Sequence, residues 1–291
     1  MSVVTLRSSH VRAVVAAPAV VRHQRSDGGV ELAFARAGRG TVLAGLYQRS
    51  PCRALFPRPP SDAAPLAVLV NTAGGLAGGD RVSVTVRVAK GAAATVTTQA
   101  AEKVYRSLGP DARVETSLAV AEDARLEWLP QESILFDGAC LDRRMSASVA
   151  QGGRLLACET LVFGRAARGE TMTRGRVSEA WRIEYGSRLV WVDRLGLSGG
   201  IAGRLDGTGF GGARALATAL YAGPEAGEFV PAARAAAERE GGAASLVNGV
   251  LIARLLGAEP GRVRDGLARL VSALRHAVFG AAAAAPRLWA L

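Results

Sequence analysis

Apolar and polar side chains alternate along the larger, N-terminal part of the chain. Residues 81–88 have the sequence RVSVTVRV, with a valine at every second position. Because successive side chains of a strand point to opposite faces, this pattern predicts a strand with one buried face. Gly186-Ser187 favours a hairpin between two such segments. Further segments predicted to be strands are residues 94–98, 114–120, 155–163, 180–185 and 189–192.

Helical segments of useful length do not interrupt these strands. Parallel strands of an α/β fold are connected by such helices, so that class is not expected. The pattern predicts a mainly β fold of coiled stacked sheets, β-helix-like or sandwich-like, as a β-rich body over residues 28–205. No strict repeat period is present, so a regular solenoid is not expected. The glycine-rich residues 196–212 are expected to form a mobile loop.

The C-terminal part of the chain has a different pattern. Residues 231–240 and 260–279 each have a proline near their start, which favours the first turn of a helix. The second segment also carries apolar residues at helical spacing. Two short apolar runs, residues 216–221 and 250–256, fit a strand or a helix, and we favour strands. We therefore expect a small C-terminal α/β layer, residues 206–291, packed on the body.

The chain is basic, with a formal net charge of +11, but the charge is dispersed. Lys90 and Lys103 are the only lysines, and the arginines are scattered rather than gathered in a long basic run. Aromatic residues make up 5% of the chain, too few to predict a platform for stacked bases. Nucleic acid is therefore not an expected partner.

No apolar run approaches the roughly 20 residues that span a bilayer, so no membrane association is expected. Residues 13–21 are apolar and follow Arg7 and Arg12, which faintly resembles a signal peptide. Pro18 interrupts this short stretch, however. Three widely spaced cysteines without a CxxC pair fit a reducing compartment. A cytoplasmic location is expected, with residues 1–27 as an N-terminal extension.

A glycine-rich motif at residues 74–79 has the G-x-x-x-x-G spacing of a phosphate loop. Asp80 and Arg81 stand where such a loop requires Lys and Ser or Thr. A strand follows instead of a helix, so no helix N-terminus is available to bind phosphate. Nucleotide binding is therefore not predicted, and a tight glycine turn is the favoured interpretation.

A second motif, GLSGG at residues 196–200, matches G-x-S-x-G. Asp206 or Asp265 and then His276 follow in the order Ser, Asp, His. A serine hydrolase that uses Ser198 is therefore the alternative function. A nucleophile elbow leads into a helix, however, and the glycines after Ser198 argue against a helix there. We therefore favour a protein that is not an enzyme.

Carboxylates provide the remaining candidate chemistry. The three histidines are not spaced as metal ligands with another histidine or a cysteine, so no stably bound metal or cofactor is expected. Asp80 begins a strand, Glu159 lies within an apolar strand and Asp193 ends one. A carboxylate in an apolar run is usually paired or faces the surface. The alternative, left open here, is that these residues line a wet internal passage.

Several short segments, none of them diagnostic alone, occur in an order that is typical of one protein family. They are GLYQRSPCR at residues 45–53, GGLAGGD at 74–80, TTQAAEKVYRS at 97–107, LEWLPQE at 126–132, ILFDGA at 134–139, residues 158–170, and PRLW at 286–289. From residue 28 to the end, this ordered set resembles the UreD (also called UreH) family of urease accessory proteins. One departure is Asn71-Thr72-Ala73, which stands where the family commonly has proline.

The resemblance implies a mainly β fold and no catalytic activity. It implies three partners: the accessory protein UreF, the GTPase UreG and apo-urease. It also implies that nickel is in transit through a water-filled route from UreG to the urease active site. On this resemblance, Asp80, Glu159 and Asp193 are the candidate metal residues of the route. Oxygen ligands alone bind nickel weakly, which suits transit rather than storage.

Overall fold

The computed structural model describes residues 24–58, 64–280 and 285–290. The strands in this part of the chain are β1 (Asp27–Ala37), β2 (Gly40–Arg49), β3 (Cys52–Leu55), β4 (Leu66–Asn71), β5 (Arg81–Val88), β6 (Ala93–Thr98), β7 (Glu102–Val104), β8 (Ala112–Val120), β9 (Arg125–Leu129), β10 (Ser133–Leu135), β11 (Cys140–Val149), β12 (Arg154–Phe163), β13 (Arg174–Tyr185), β14 (Arg188–Gly200), β15 (Ala215–Ala222), β16 (Ala243–Val247) and β17 (Val250–Gly257). The helices are α1 (Ile201–Asp206), α2 (Val230–Glu238) and α3 (Pro260–Phe279).

The strands form two sheets that face each other. Sheet one has the order β14-β13-β11-β8-β5-β1-β2, and sheet two has the order β16-β17-β15-β12-β9-β6-β4-β3, with β10 and β7 paired beside β12. From β4 to β13 the chain passes back and forth between the sheets, and each strand lies parallel to its counterpart one turn earlier. The prediction of a mainly β coil of stacked sheets is confirmed.

The strand register gives the length of one turn of the coil. Arg81 of β5 is paired with Arg113 of β8. In sheet two, Ala93 of β6 is paired with Arg125 of β9, which is paired with Arg154 of β12. One turn therefore takes about 30 residues, within the range of solenoid repeats. The number of residues in a turn differs from one turn to the next, which explains why the sequence has no fixed period.

The alternating valines face the space between the sheets, as their spacing predicted. Val86 and Val88 of β5 are buried, whereas Arg87 between them is exposed. Inward side chains from both sheets form one large core cluster, which includes Leu118 and Leu155. A second cluster fills the end of the coil near β10 and the start of β13.

The C-terminal strands continue sheet two instead of forming a separate sheet. Strand β15 pairs antiparallel with β12, and β17 pairs with β15 and β16. Both predicted helices and both predicted strands of this region are therefore confirmed, whereas the domain boundary after residue 205 stays a prediction. No helix in the described ranges is long and apolar enough to cross a membrane.

Helix α3 covers the outer face of sheet two. It begins at Pro260 and is followed by Gly280, whose φ of 60° is the left-handed conformation that ends many helices. Its apolar side packs in a third core cluster. Arg275 Nε donates to the buried Glu127 Oε1 at 2.7 Å. Beyond the helix, Trp289 Nε1 donates to the carbonyl oxygen of Leu129 at 3.3 Å, so the last described residues are tied to β9.

The glycine-rich residues 196–212 were expected to form a loop, and this expectation was wrong for their first half. Residues 196–200 extend β14, and α1 follows at once. The reason is packing, because Ile201 and Leu205 are completely buried. The amide of Ile201 also donates to the carbonyl oxygen of Thr173 at 2.9 Å. Tertiary contacts outweigh the low helix propensity of glycine here.

Truncation of the α3 core side should destabilise the protein. Leu270 is fully buried, so Leu270→Ala should lower the free energy of unfolding by about 2–5 kcal/mol. Arg262 on the exposed side of the same helix is the matched control, and Arg262→Ala should change stability by no more than about 0.5 kcal/mol. Chemical denaturation measures both. Equal effects would contradict the packing of α3 on sheet two.

Candidate functional site

Polar side chains interrupt the apolar interior at one level of the coil. On β11, Arg143 lies between the core residues Leu141 and Met145. On β12, Glu159 lies between Ala157 and Leu161 in the same way. These polar residues therefore separate two apolar clusters. We define the polar level as Arg143, Glu179 and Asp193 of sheet one together with Glu159, Thr218 and Arg254 of sheet two.

The strand register explains why these residues meet. Arg143 of β11 is paired with Glu179 of β13. In sheet two, Glu159 of β12 is paired with Thr218 of β15, which is paired with Arg254 of β17. Each sheet thus carries a row of polar residues, and both rows face the space between the sheets. The guanidinium of Arg143 and the carboxylate of Glu179, both in sheet one, therefore face the carboxylate of Glu159 in sheet two.

Arg143 is the centre of the polar level. Its Nε lies 3.1 Å from Glu159 Oε2 across the gap between the sheets. Its guanidinium also donates to Glu179 within its own sheet and to Ser133 Oγ at 3.0 Å. The Arg143 side chain is 7% exposed and that of Glu159 is 4% exposed. A buried charge of this kind is tolerated only when it is paired.

Two tryptophans complete the cluster. Trp128 Nε1 donates to Glu159 Oε1 at 3.4 Å, and Trp181 Nε1 donates to Glu179 Oε1 at 3.3 Å. Glu159 Oε2 lies close to Arg143 Nε, but the two groups are not aligned for a hydrogen bond. The Glu179 carboxyl group is close enough to share a hydrogen bond with Glu159, so the two carboxyl groups and the guanidinium form one coupled cluster.

The electrostatics of the cluster are unbalanced, with two carboxylates around one guanidinium. Burial raises the pKa of Glu159 to about 7, and the neighbouring Glu179 adds to this increase. Arg143 opposes it by stabilising the charged form. Arg143 itself has a raised pKa because both carboxylates outweigh the effect of its burial. Its guanidinium therefore stays charged.

A cavity of about 330 Å³ reaches the polar level from one side. Arg143, Glu159 and Ser133 line its inner end. The exposed Gln99 and Lys103 are also part of its wall, so the cavity lies open toward the segment between β6 and β7. This volume has room for several water molecules, and polar groups at its inner end can hold them.

A further carboxylate lines the outer part of this cavity. Asn71 Nδ2 donates to both oxygens of Glu102, at 3.3 and 3.1 Å. Burial raises the pKa of Glu102 despite these hydrogen bonds. Both side chains line the cavity wall, so the cavity has a carboxylate near each end.

Asp80 is buried at the turn that begins β5, with 6% of its surface exposed. Its Oδ1 accepts from the amide of Ser26 at 2.8 Å, and its Oδ2 accepts from the amide of Ala77 at 2.7 Å. Gly79 before it has a φ of 95°, which confirms the predicted glycine turn. Asp80 is absent from the described lining of the cavity, and its role as a metal residue stays a prediction.

Asp193 lies at the edge of the sandwich. Its side chain pairs with Arg254 of β17, so the pair joins the edge strand β14 of sheet one to sheet two. Asp193 and Arg254 are 32% and 43% exposed, much more than Arg143 and Glu159. Of the three carboxylates predicted from the sequence, Glu159 and Asp193 share the polar level, and Asp80 lies at a separate turn.

Permanent metal ligands are not assembled in this part of the protein. Among residues 24–58, 64–280 and 285–290, no three His, Cys, Asp or Glu side chains are placed to hold one metal ion. All three cysteines are buried and unbridged. Burial raises the pKa of Cys52 to about 11 and that of Cys158 well above its ordinary value, so both thiols stay protonated at neutral pH.

Sequence reasoning missed Arg143, Glu179 and Glu102. The first two carried a usable signal. In β11 the inward positions are Leu141, Arg143, Met145, Ala147 and Val149, and in β13 they are Val177, Glu179, Trp181 and Ile183. A charged residue at an otherwise apolar period-two position marks a buried charge. The partner of each charge could not be predicted, because it depends on the register between strands.

The arrangement around Ser198 does not resemble a hydrolase site. Ser198 is exposed within β14 and paired with Arg176, and its backbone is outside the left-handed region. A nucleophile elbow requires a strained turn at the serine. His276 lies on α3, which packs on the outer face of sheet two, so both sheets lie between it and Ser198. The prediction that no helix follows the motif was wrong, since α1 begins at Ile201.

The fold and the site place the chain among β-solenoid-like proteins made of two facing sheets. Its interior holds a buried carboxylate–guanidinium cluster beside a cavity. The model of a family described as UreD urease accessory protein matches residues 26–290. The chain therefore belongs to the UreD family of urease accessory proteins, as the ordered sequence motifs indicated.

Individual relatives are similar in sequence over most of the chain. A protein of Methylobacterium sp. (strain 4-46), named urease accessory protein UreD, is 42% identical over 281 residues, covering 94% of this chain and 97% of the relative. A protein of the same name from Rhodopseudomonas palustris (strain BisB5) is 41% identical, covering 97% and 98%. Another from Granulibacter bethesdensis is 45% identical, covering 81% and 99%.

Removal of the Asp80 carboxylate should loosen the glycine turn. Asp80→Ala leaves the amides of Ser26 and Ala77 without their acceptor, so the free energy of unfolding should fall by about 1–3 kcal/mol. Asp265→Ala on the exposed side of α3 is the control and should change it by at most about 0.5 kcal/mol. Urea denaturation of both variants is the measurement. No loss in Asp80→Ala would contradict the turn-stabilising role.

The buried Glu159 should make stability depend on pH. Its pKa is about 7 in the folded protein and 4.5 without burial. The folded state therefore keeps a proton that the unfolded chain releases between these values, and stability falls as pH rises from 4.5 toward 7. Glu159→Gln should remove this contribution, on the order of 3 kcal/mol between pH 4.5 and 7, from the pH profile of denaturation. Parallel profiles for both proteins would contradict the assignment.

Proposed function

We propose that this protein assists the maturation of urease by allowing nickel to cross its interior at the polar level. Membership of the UreD family supports the coarser part of this proposal, a role as a urease accessory protein. The single observation that supports the finer part is Glu159, a buried carboxylate between the two sheets that lines a cavity open toward the surface. Nickel is the cargo of this process and not a resident cofactor.

The chemistry of the donors favours transit. Carboxylate oxygens and water are hard ligands that bind nickel more weakly than imidazole or thiolate does. Glu102 lies in the outer part of the cavity and Glu159 at its inner end, so a hydrated cation meets carboxylates in succession. Each carboxylate replaces part of the hydration shell without holding the ion permanently. The protonated cysteines do not compete as thiolate ligands.

The route continues in this proposal from Glu159 across the polar level toward Asp193. Thr218 and Arg254 lie beside Glu159 in sheet two, and Arg254 pairs with Asp193 at the far edge. The more exposed Asp193–Arg254 pair would form the second mouth. Asp80 is retained from the sequence as a third candidate, although its two backbone contacts account for its burial.

The partners in this proposal are UreF, the GTPase UreG and apo-urease, and the compartment is the cytoplasm. Partner binding would cover the two mouths and exclude bulk water, and GTP hydrolysis on UreG would give the transfer a direction. In this scheme the chain itself acts as a scaffold and conduit without catalytic activity. The relatives are named urease accessory proteins, which is consistent with that role.

The test is the nickel content of urease produced from a urease gene cluster that lacks its own UreD gene. The wild-type chain should restore nickel to urease. Glu159→Gln should reduce the restored nickel several-fold, because it removes the charged oxygen at the inner end of the cavity. Asp193→Asn should give a smaller reduction, because its position is more exposed.

The matched control is Glu184→Gln, which changes a partly exposed carboxylate of β13 that pairs with the exposed Arg182. It should restore nickel as the wild type does. All variants must also co-purify with UreF, which separates a loss of transit from a loss of assembly. Full nickel with Glu159→Gln would remove the interior route and leave only the scaffold role. Failure of a well-expressed wild type would count against the function itself.

A further inference from the structure

Arg143 occupies the place that a cation would take on the proposed route. Its guanidinium lies between Glu159 of sheet two and Glu179 of sheet one. These carboxylates belong to opposite sheets, and they converge on this one positive group. The cavity ends against the same guanidinium, because Arg143 is part of its lining. An ion in the cavity therefore meets Arg143 together with Glu159, because both side chains line it.

The charges of this cluster do not match. Glu159 and Glu179 together can carry two negative charges, and Arg143 supplies one positive charge. A divalent cation at the same point would balance both carboxylates. The contacts are also unequal, because Glu179 accepts a hydrogen bond from Arg143 and Glu159 Oε2 does not. Glu159, the carboxylate that lines the cavity, is thus held less firmly by Arg143 than Glu179 is.

We propose that Arg143 is a resident counter-ion of the route, which a divalent cation must displace from Glu159 and which returns after the ion has passed. The inference rests on the proposed function. Arg143 offsets one of the two carboxylate charges when no metal is present. It also competes with the metal for Glu159, so the affinity of the empty passage for nickel stays low. Glu179 holds the displaced guanidinium within its own sheet.

The structure gives the guanidinium somewhere to move. Its hydrogen bond to Glu179 lies within its own sheet, opposite the sheet that carries Glu159, and the cavity borders it directly. A small displacement toward Glu179 lengthens the unaligned contact with Glu159 and the hydrogen bond to Ser133, whose strand β10 pairs with β12. Ion exchange of this kind requires no movement of the strands, whose register stays fixed by the backbone hydrogen bonds.

The test is nickel binding to the full chain in the absence of its partners. Trp128 and Trp181 donate to the two carboxylates, so quenching of tryptophan fluorescence by Ni²⁺ reports binding at this cluster. Equilibrium dialysis with Ni²⁺ measures the same affinity independently. Arg143→Gln should raise the affinity about tenfold or more, the value of one charge-assisted contact in an equilibrium constant. The wild type should bind weakly.

Two controls place the effect at the cluster. Arg144→Gln removes the neighbouring arginine of β11, which is exposed and pairs with Asp142, and it should leave the Ni²⁺ affinity unchanged. Arg143→Gln combined with Glu159→Gln should return the affinity to the wild-type level or below. A gain that persists in this double variant would assign the new binding to another site and overturn the proposal.

Removal of a buried arginine can prevent folding, so a charge-matched variant is also required. Arg143→Gln with Glu179→Gln removes one positive and one negative group, which leaves the net charge of the cluster as in the wild type. If Arg143 is the competitor, this variant binds Ni²⁺ about tenfold more tightly than the wild type. An unchanged affinity in a folded variant would overturn the proposal, because only total charge would then matter.

This outcome is distinguishable from failure of the proposed function. Binding to the isolated chain needs neither urease nor its other accessory proteins. A wild type that fails to restore nickel to urease would contradict the function, whatever Arg143→Gln does in dialysis. If the function holds, the charge-matched variant should also deliver less nickel to urease, because it releases the ion more slowly. Normal delivery by a variant with raised affinity would overturn the role of Arg143.

Discussion

A charge that is buried between two sheets must be neutralised where it lies, and in this protein that requirement joins the two sheets. Arg143 and Glu179 come from one sheet and Glu159 from the other. Loss of one partner would leave an uncompensated charge in the interior. Strands β11, β12 and β13 are therefore held in one relative position, and the apolar clusters on either side pack around that level.

In the proposed function, the same level serves to pass a metal and not to store one. Permanent sites collect imidazole or thiolate ligands, whereas this interior offers carboxylates that already have a cationic partner. Two tryptophans fix the positions of the carboxylates. The cation that is present, Arg143, belongs to the chain itself. The interior is thus arranged around a positive charge that the protein itself supplies.

The sequence was sufficient to predict elements but not their pairing. Period-two valines in β5 and the proline-started pattern of α3 predicted those elements correctly, because each depends on local geometry. The pattern also predicted stacked sheets, coiled or sandwich-like. It did not predict which strands pair in parallel, because the turns of the coil differ in length and pairing is set by tertiary packing. For the same reason Glu159 was identified as unusual, whereas its partner Arg143 was missed. Ordered motifs predicted the family, since each motif covers a turn or strand start along the coil.

The tie between α3 and β9 has a consequence for how the chain is made. Glu127 is buried, and its partner Arg275 is synthesised 148 positions later. Trp289, which covers the carbonyl of Leu129, comes almost at the end of the chain. While the ribosome is still at work, the outer face of sheet two therefore lacks its cover, with a charged side chain and an apolar surface open to water. Until α3 and Trp289 have been synthesised, the apolar residues that they bury in the folded protein have no partner from this part of the chain.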